Sequence, residues 1–274
     1  MGQSDLAAFA QLTRGTISTK LAAKTGLYRT ITPTGGALQS GSVLPLTPQR
    51  IAHALAENVP PFWEGKACVQ ELRASDYNWR QMEWIGWWFQ FRALKILRSM
   101  GASVGPTFGS VAFDCMLSGV WDFKAHPQKD SGANYAYLND EAAVNECLLS
   151  CGHIGWLVAV GSAVYDTDGK FKQWHDQLKG SVSAYVRQGQ SLSRQSRVRK
   201  AAFHLEEIVW IEFRSATDLN RALAAHILRR GLQARQRNSD GSARNPKYGF
   251  SYRRWHDYVT AGGGLIRTGS VRVL

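Results

Sequence analysis

A chain of 274 residues is long enough for one large α/β domain, or for a core with an appended subdomain, and needs neither disulfides nor a structural metal to fold. Its 33 Lys and Arg against 21 Asp and Glu leave a net charge of +12, while 44% of the residues are apolar. That balance excludes a disordered tail and selects polyanions as partners, nucleic acid ahead of an anionic membrane surface.

Cys68, Cys115, Cys147 and Cys151 stand in apolar or amphipathic stretches and lack the spacing of a secreted scaffold, so reduced core cysteines and a cytoplasmic protein are expected. Leu6 to Leu12 is too short an apolar patch for a signal peptide. Trp84 to Leu97, broken by Gln90, Arg92 and Lys95, falls short of a membrane span.

In chain order, residues 4–25 pattern as one or two amphipathic helices, and Thr30 to Pro48, rich in Thr, Gly, Ser and Pro, reads as a loop. Pro48 to Glu57 is helical again, and a long helix buried nearly all round is predicted from Asn78 to Met100, ending at Gly101. A poorly marked strand near Ser103 to Phe108 precedes a hairpin of Val111 to Leu117 and Gly119 to His126. A loop over Pro127 to Asn134 leads to a helix at Asn139 to Ser150 and a buried strand at Ile154 to Tyr165. Asp166 to Gly169 is a turn, Trp174 to Arg187 a helix, Gln188 to Lys200 a polar loop and Phe203 to Phe213 a strand. Leu219 to Leu232 reads as a helix, Gln233 to Lys247 as a basic loop, and Gly262 to Leu274 as a last strand pair. The expected fold is α/β, a mixed central sheet flanked by helices in a single domain. Residues 1–60 form a peripheral helical region, 78–165 the core, and 166–274 complete it and carry basic loops.

Three [Asp/Glu]-x-Lys tripeptides occur, against roughly one by chance, so context must choose among them. Glu64-Gly65-Lys66 has no strand around it, and Asp168-Gly169-Lys170 lies in a polar turn; both read as surface. Asp122-Phe123-Lys124 is different, because two charges stand inside an apolar strand and alternate onto one face with His126. Asp114 interrupts the preceding apolar strand eight residues earlier. A three-residue turn with Gly119 near its centre would pair Asp114 with Lys124 and set Asp114, Asp122 and Lys124 on one face. Two carboxylates held together repel unless a divalent cation neutralises them, and hard oxygen donors favour Mg²⁺. Such a metal polarises a phosphate oxygen and acidifies a bound water while the ammonium steadies charge, which points to phosphodiester hydrolysis. The bland reading is an exposed hairpin with a cross-strand Asp/Lys pair.

On Phe113-Asp114 and Asp122-Phe123-Lys124, with Phe113 where the two-part motif usually has Pro, the sequence resembles the PD-(D/E)xK nuclease superfamily. The resemblance spans Asn78 to Tyr165 and implies an αβββαβ core. It implies Mg²⁺ held by Asp114, Asp122 and Phe123, with Asp114, Asp122 and Lys124 catalytic. It also offers Glu83 on the long helix as a further acid, with Glu71 a weaker competitor; Glu83 could instead pair with Arg80 or a core hydroxyl and never meet the metal. A type II restriction endonuclease follows: a homodimer cutting double-stranded DNA at a short site, with a companion methyltransferase. A structure-specific repair nuclease and a non-enzymatic DNA-binding protein are the rivals.

Elsewhere, Cys147, Cys151 and His153 lack a second ligand pair for zinc, and Gly262-Gly263-Gly264 lacks the Lys-Ser/Thr of a phosphate loop. His126 could touch the phosphate as well, but reads first as a satisfied strand histidine. Two basic segments mix Arg with Asn, Gln or Ser, donors and acceptors that read base edges as well as phosphates. The DNA-binding candidates are Arg194, Arg197, Arg199 and Lys200 in the first, and Arg235, Arg237, Asn238, Arg244, Asn245 and Lys247 in the second.

Overall fold

The computed structural model describes residues 46–128, 135–180, 198–238 and 241–273, all within one compact unit, Pro45–Leu274. The helices expected over residues 4–25, the loop from Thr30 as far as residue 45, most of the loop after Pro127, and Arg194 and Arg197 lie outside the described residues.

Helix α1, Pro48–Asn58, starts at a Thr47 cap and buries Ile51, Ala52 and Leu55, so this stretch belongs to the core and not to a periphery. It is followed by β1, Phe62–Glu64, and α2, Gly65–Ala74, neither of which the sequence pattern announced. The long helix α3 is shorter than expected, Trp84–Ser99, because Asp76 and Asn78 take left-handed backbone angles that hold residues before Trp84 in turns. Its buried residues, Trp84, Ile85, Trp88, Phe89, Ala93 and Leu97, form one stripe, while Gln90, Arg92 and Lys95 stay partly or fully exposed.

The hairpin region is more broken than its apolar pattern suggests. It comprises β2 (Ser103–Val104), β3 (Thr107–Phe108), β4 (Val111–Ala112), β5 (Cys115–Met116) and the longer β6 (Val120–Pro127). Strand β7, Tyr135–Asp140, then runs directly into α4, Glu141–Cys151, and β8, Ile154–Tyr165, follows as expected. Helix α5 spans Lys170–Lys179 and β9 spans Lys200–Phe213. The helix expected over Leu219 to Leu232 is instead α6, Ala216–Ala224, and a strand β10, Leu228–Leu232; His226, at φ 56°, ends the helical path between them. The chain finishes with β11 (Lys247–Ser251), α7 (Tyr252–Thr260) and a single strand, β12 (Arg267–Arg272), not a strand pair.

These elements build a mixed α/β fold around a seven-stranded sheet ordered β1-β9-β8-β6-β5-β2, with β12 also on β9. Strand β6 runs parallel to β8 across the α4 crossover, whereas β5–β6 and β8–β9 are antiparallel. Leu157 and Ala159 of β8 face the layer containing α1, α2 and α3, and Trp156, Val158 and Val160 face the layer containing α4 and α6. Burial on both faces is why β8 reads as an unbroken apolar run. A second sheet, β10-β11-β7, covers part of that other face. Among the described residues no helix is long and apolar enough to cross a membrane.

Candidate active site

The turn joining β5 to β6 is Leu117-Ser118-Gly119, with Ser118 at φ 55° and Gly119 at φ 145°. Gly119 is needed twice over, for its backbone angle and because a Cβ there would sit 2.4 Å from the His153 ring. The turn is three residues long, as expected, but Cys115 pairs with Trp121 and Met116 with Val120, so Asp114 continues opposite Asp122 and not opposite Lys124. The extra step that would have shifted the register is missing because the loop centres on Ser118.

Asp114 lies just outside β5, where the ladder ends, and its Oδ2 accepts the Phe123 amide at 2.6 Å. Its Oδ1 accepts from Gln90 Nε2 on α3. Asp122, buried within β6, receives Lys124 Nζ on Oδ2 and Asn139 Nδ2 on Oδ1 at 3.0 Å. Asn139 is itself oriented by Trp156, whose Nε1 donates to Asn139 Oδ1 at 2.9 Å.

Burial first, and then the charge of Asp122, push the Asp114 carboxyl up to about 8, although Lys124 and the Phe123 amide pull the other way. Burial alone would lower Lys124, but Asp122 and Asp114 together outweigh it and hold the ammonium charged. Tyr77 is pushed up to about 12 by burial and by Asp114. The centre is therefore a part-buried, electrostatically coupled Asp–Asp–Lys group with Asp122 at its buried end, a perturbed cluster of the kind found at functional sites and in structural ion-pair networks.

Two oxygen-bearing side chains and a main-chain carbonyl suit Mg²⁺, which takes hard donors and keeps several waters. Among the described residues no three or more His, Cys, Asp or Glu gather as a metal group. A two-carboxylate Mg²⁺ site does not require a third, and a cation there would compensate the ionised form of Asp114 that burial and Asp122 disfavour. Phe123 could contribute only its main chain, since its ring packs edge-on against Phe89 with centroids 6.1 Å apart.

Glu83 is not part of this centre. It stands at the N-terminal boundary of α3, two-thirds exposed, with its carboxylate 3.4 Å from Lys200 Nζ. The helix delivers Gln90 instead, two turns further on and on the same face. Glu71 is also occupied elsewhere, accepting from Trp88 Nε1 at 2.7 Å and Arg92 Nη1 at 3.0 Å. His126 is buried and neutral, pushed down to about 4 by burial and then by Lys200. His153 bonds the Val120 amide and Glu212 through its two ring nitrogens, which explains its place beside Cys147 without a metal. Asp168 and Lys170 pair on the surface, and Glu64 caps α2 through the Ala67 amide at 2.7 Å.

The first basic segment turns inward where it is described. Arg199 is buried against Asp176 at 2.7 Å and the His175 ring at 3.3 Å, and Lys200 pairs with Glu83, so neither is placed as a DNA contact. The sequence did not show these partners of Arg199, because they lie on α5, distant along the chain.

The second segment is a small hairpin. Asn238 donates its main-chain N–H to the Ser242 carbonyl at 2.8 Å and its side-chain Nδ2 to Ser242 Oγ at 3.0 Å, Gly241 N–H donates to the Asn238 carbonyl at 3.1 Å, and Arg237 Nη1 donates to the Gly241 carbonyl at 2.8 Å. Arg235, Arg237 and Asn238 are exposed. Asn245 and Lys247 are tied to Asp140, at 2.9 and 2.8 Å. Ser110, Asp140, Asn238, Arg244, Asn245 and Lys247 line much of a polar cleft of about 340 Å³. Arg244 Nε is buried there with no hydrogen-bond partner.

Gln90, Asn139 and Trp156 are site residues that the sequence alone did not single out. Gln90 was visible only as an interruption of an apolar helix, and Asn139 only as the start of the next one. Comparison with protein-family models, with curated proteins and with solved structures finds no match to this chain.

Proposed function

We propose that this chain is a Mg²⁺-dependent endonuclease of the PD-(D/E)xK kind acting on double-stranded DNA. The observation that carries the reading is buried Asp122 beside half-buried Asp114 and Lys124, with the Asp114 carboxyl raised first by desolvation and then by its neighbour's charge. Further support comes from the element order: α3, the strands through β6, the α4 crossover, then β8 parallel to β6. That order is compatible with an αβββαβ core. The net charge of +12 and the polar hairpin with a spare Arg244 donor suit a polyanionic partner.

Bound Mg²⁺ would polarise the scissile phosphate and supply an acidified water. Asp114 and Asp122 would hold it, with the Phe123 carbonyl. Lys124, paired with Asp122, is close enough to both carboxylates to exchange that partner for charge developing on the phosphate. The restriction reading adds a homodimer, so that both strands are cut, and a methyltransferase that protects the host site.

The test is incubation of plasmid DNA with the protein in Mg²⁺ and in EDTA. Discrete Mg²⁺-dependent fragments support a site-specific endonuclease, and cutting confined to junctions or flaps would favour a repair enzyme. A second reading, a DNA-binding protein without catalysis, draws on the Asp122–Lys124 ion pair, which could satisfy the strand by itself. Salt-sensitive DNA binding with no cutting in Mg²⁺ or Mn²⁺ would decide for it.

A further inference from the structure

Between Lys247 and Gly249 of β11 the chain takes two steps, while its partner β7 takes three, from Asp140 back to Tyr137. The extra residue is a β-bulge at Leu138-Asn139, a device that re-aims a side chain. Leu138 and Asn139 are both buried, Leu138 in the α4-side core and Asn139 against Asp122 and Trp156. Asp140, the next residue, bonds Asn245 and Lys247 of the hairpin segment.

The amide of Asn139 has only one sensible orientation. An indole N–H can only donate, so Trp156 must face the amide oxygen, and the amide NH₂ is left for the Asp122 carboxylate. Asp122 thus has one oxygen fixed by a neutral donor on β7 and the other by Lys124.

We propose that Asn139, in the bulge, and Asp140, the paired residue beside it, form a positioning element, resting on the nuclease reading above: Asn139 aims Asp122, and Asp140 ties the hairpin that seats DNA to the same stretch of β7. Neither side chain touches the reacting atoms. Each acts through its neighbour, as outer partners of metal-holding carboxylates do, and losing such a partner lowers metal affinity or activity about 10- to 100-fold.

The experiment measures plasmid cleavage and Mg²⁺ half-saturation for the wild type, Asn139→Leu, Trp156→Phe, Asp140→Asn and the Asn139→Leu/Asp140→Asn double variant. In parallel, the Trp156 indole N–H resonance is followed during Mg²⁺ titration without DNA. Asn139→Leu is expected to lower kcat about 10- to 100-fold and raise Mg²⁺ half-saturation, with KM for DNA little changed. Trp156→Phe should move both in the same direction by less, and it carries the test if Asn139→Leu does not fold. Asp140→Asn should lower kcat alone but add little on the Asn139→Leu background, since linked residues are not additive. In the wild type the indole resonance should shift as Mg²⁺ binds.

A wild type that neither cuts DNA nor shifts that resonance with Mg²⁺ sinks the nuclease reading and this proposal with it. A wild type that cuts, beside Asn139→Leu and Trp156→Phe variants with unchanged kcat and Mg²⁺ half-saturation, overturns the positioning role alone. Fully multiplicative losses in the double variant would break the link to the hairpin.

Discussion

Asp114 is held where its charge is unwelcome: half-buried, facing Asp122, with its carboxyl pushed up to about 8 by desolvation and that neighbour. Without metal, the folded state prefers the protonated acid, whereas the unfolded chain ionises near the ordinary value of 3.8. The stability this contributes is therefore complete below 3.8 and drains away as pH rises towards 8. In EDTA, the Tm of the wild type should fall relative to Asp114→Asn across that window, and Mg²⁺ should restore it at the upper end. Parallel melting curves for the two proteins would refute the coupling. Asp122→Asn and Lys124→Ala are each expected to cut DNA slower by orders of magnitude with DNA affinity kept, while Asp168→Asn and Lys170→Ala, on the surface, should cut normally. The three charged residues were legible because charges inside apolar strands are costly and so conspicuous. Gln90 and Asn139 were not, since a neutral amide on an amphipathic helix or at a strand end is ordinary until its partner is known.

At the scale of elements, legibility followed burial. β8 was readable because its first eight residues are buried on both faces and apolar residues continue it outward to Tyr165, and β6 because apolar residues surround its charges. The short strands β7, β10 and β11 were missed, being five or six residues long and partnered from distant parts of the chain. The hairpin after β10 was expected as a loop with a turn at its tip, and its internal bonds give it a defined shape. Its variants should divide accordingly. Asn245→Ala, which frees the segment from one tie to Asp140, should weaken binding at a cognate site more than on random duplex. Arg235→Ala, on the exposed stem, should weaken both DNAs alike and flatten the salt dependence. Binding measured on both duplexes across a salt series checks this; equal losses for both variants on both DNAs would reduce the hairpin to a phosphate clamp.

For the molecule as a whole, a charge of +12 should make affinity for random duplex fall steeply between low and moderate salt. A nearly flat dependence, in the same titration, would mean that the basic surplus does not meet phosphate at all. The long strand β9 carries a different consequence. One of its edges is shared by β1, near the start of the described chain, and by β12, at its end. During synthesis Phe62 to Glu64 have no strand to join until Ala202 to His204 have emerged, and the far half of that edge waits for Arg267 to Arg272. α3 can cover the side of Trp63 that meets Trp88 and Phe89, but the side that Trp63 and α1 turn to β9 must stay open until that strand emerges, so the nascent chain needs shielding from wrong partners there.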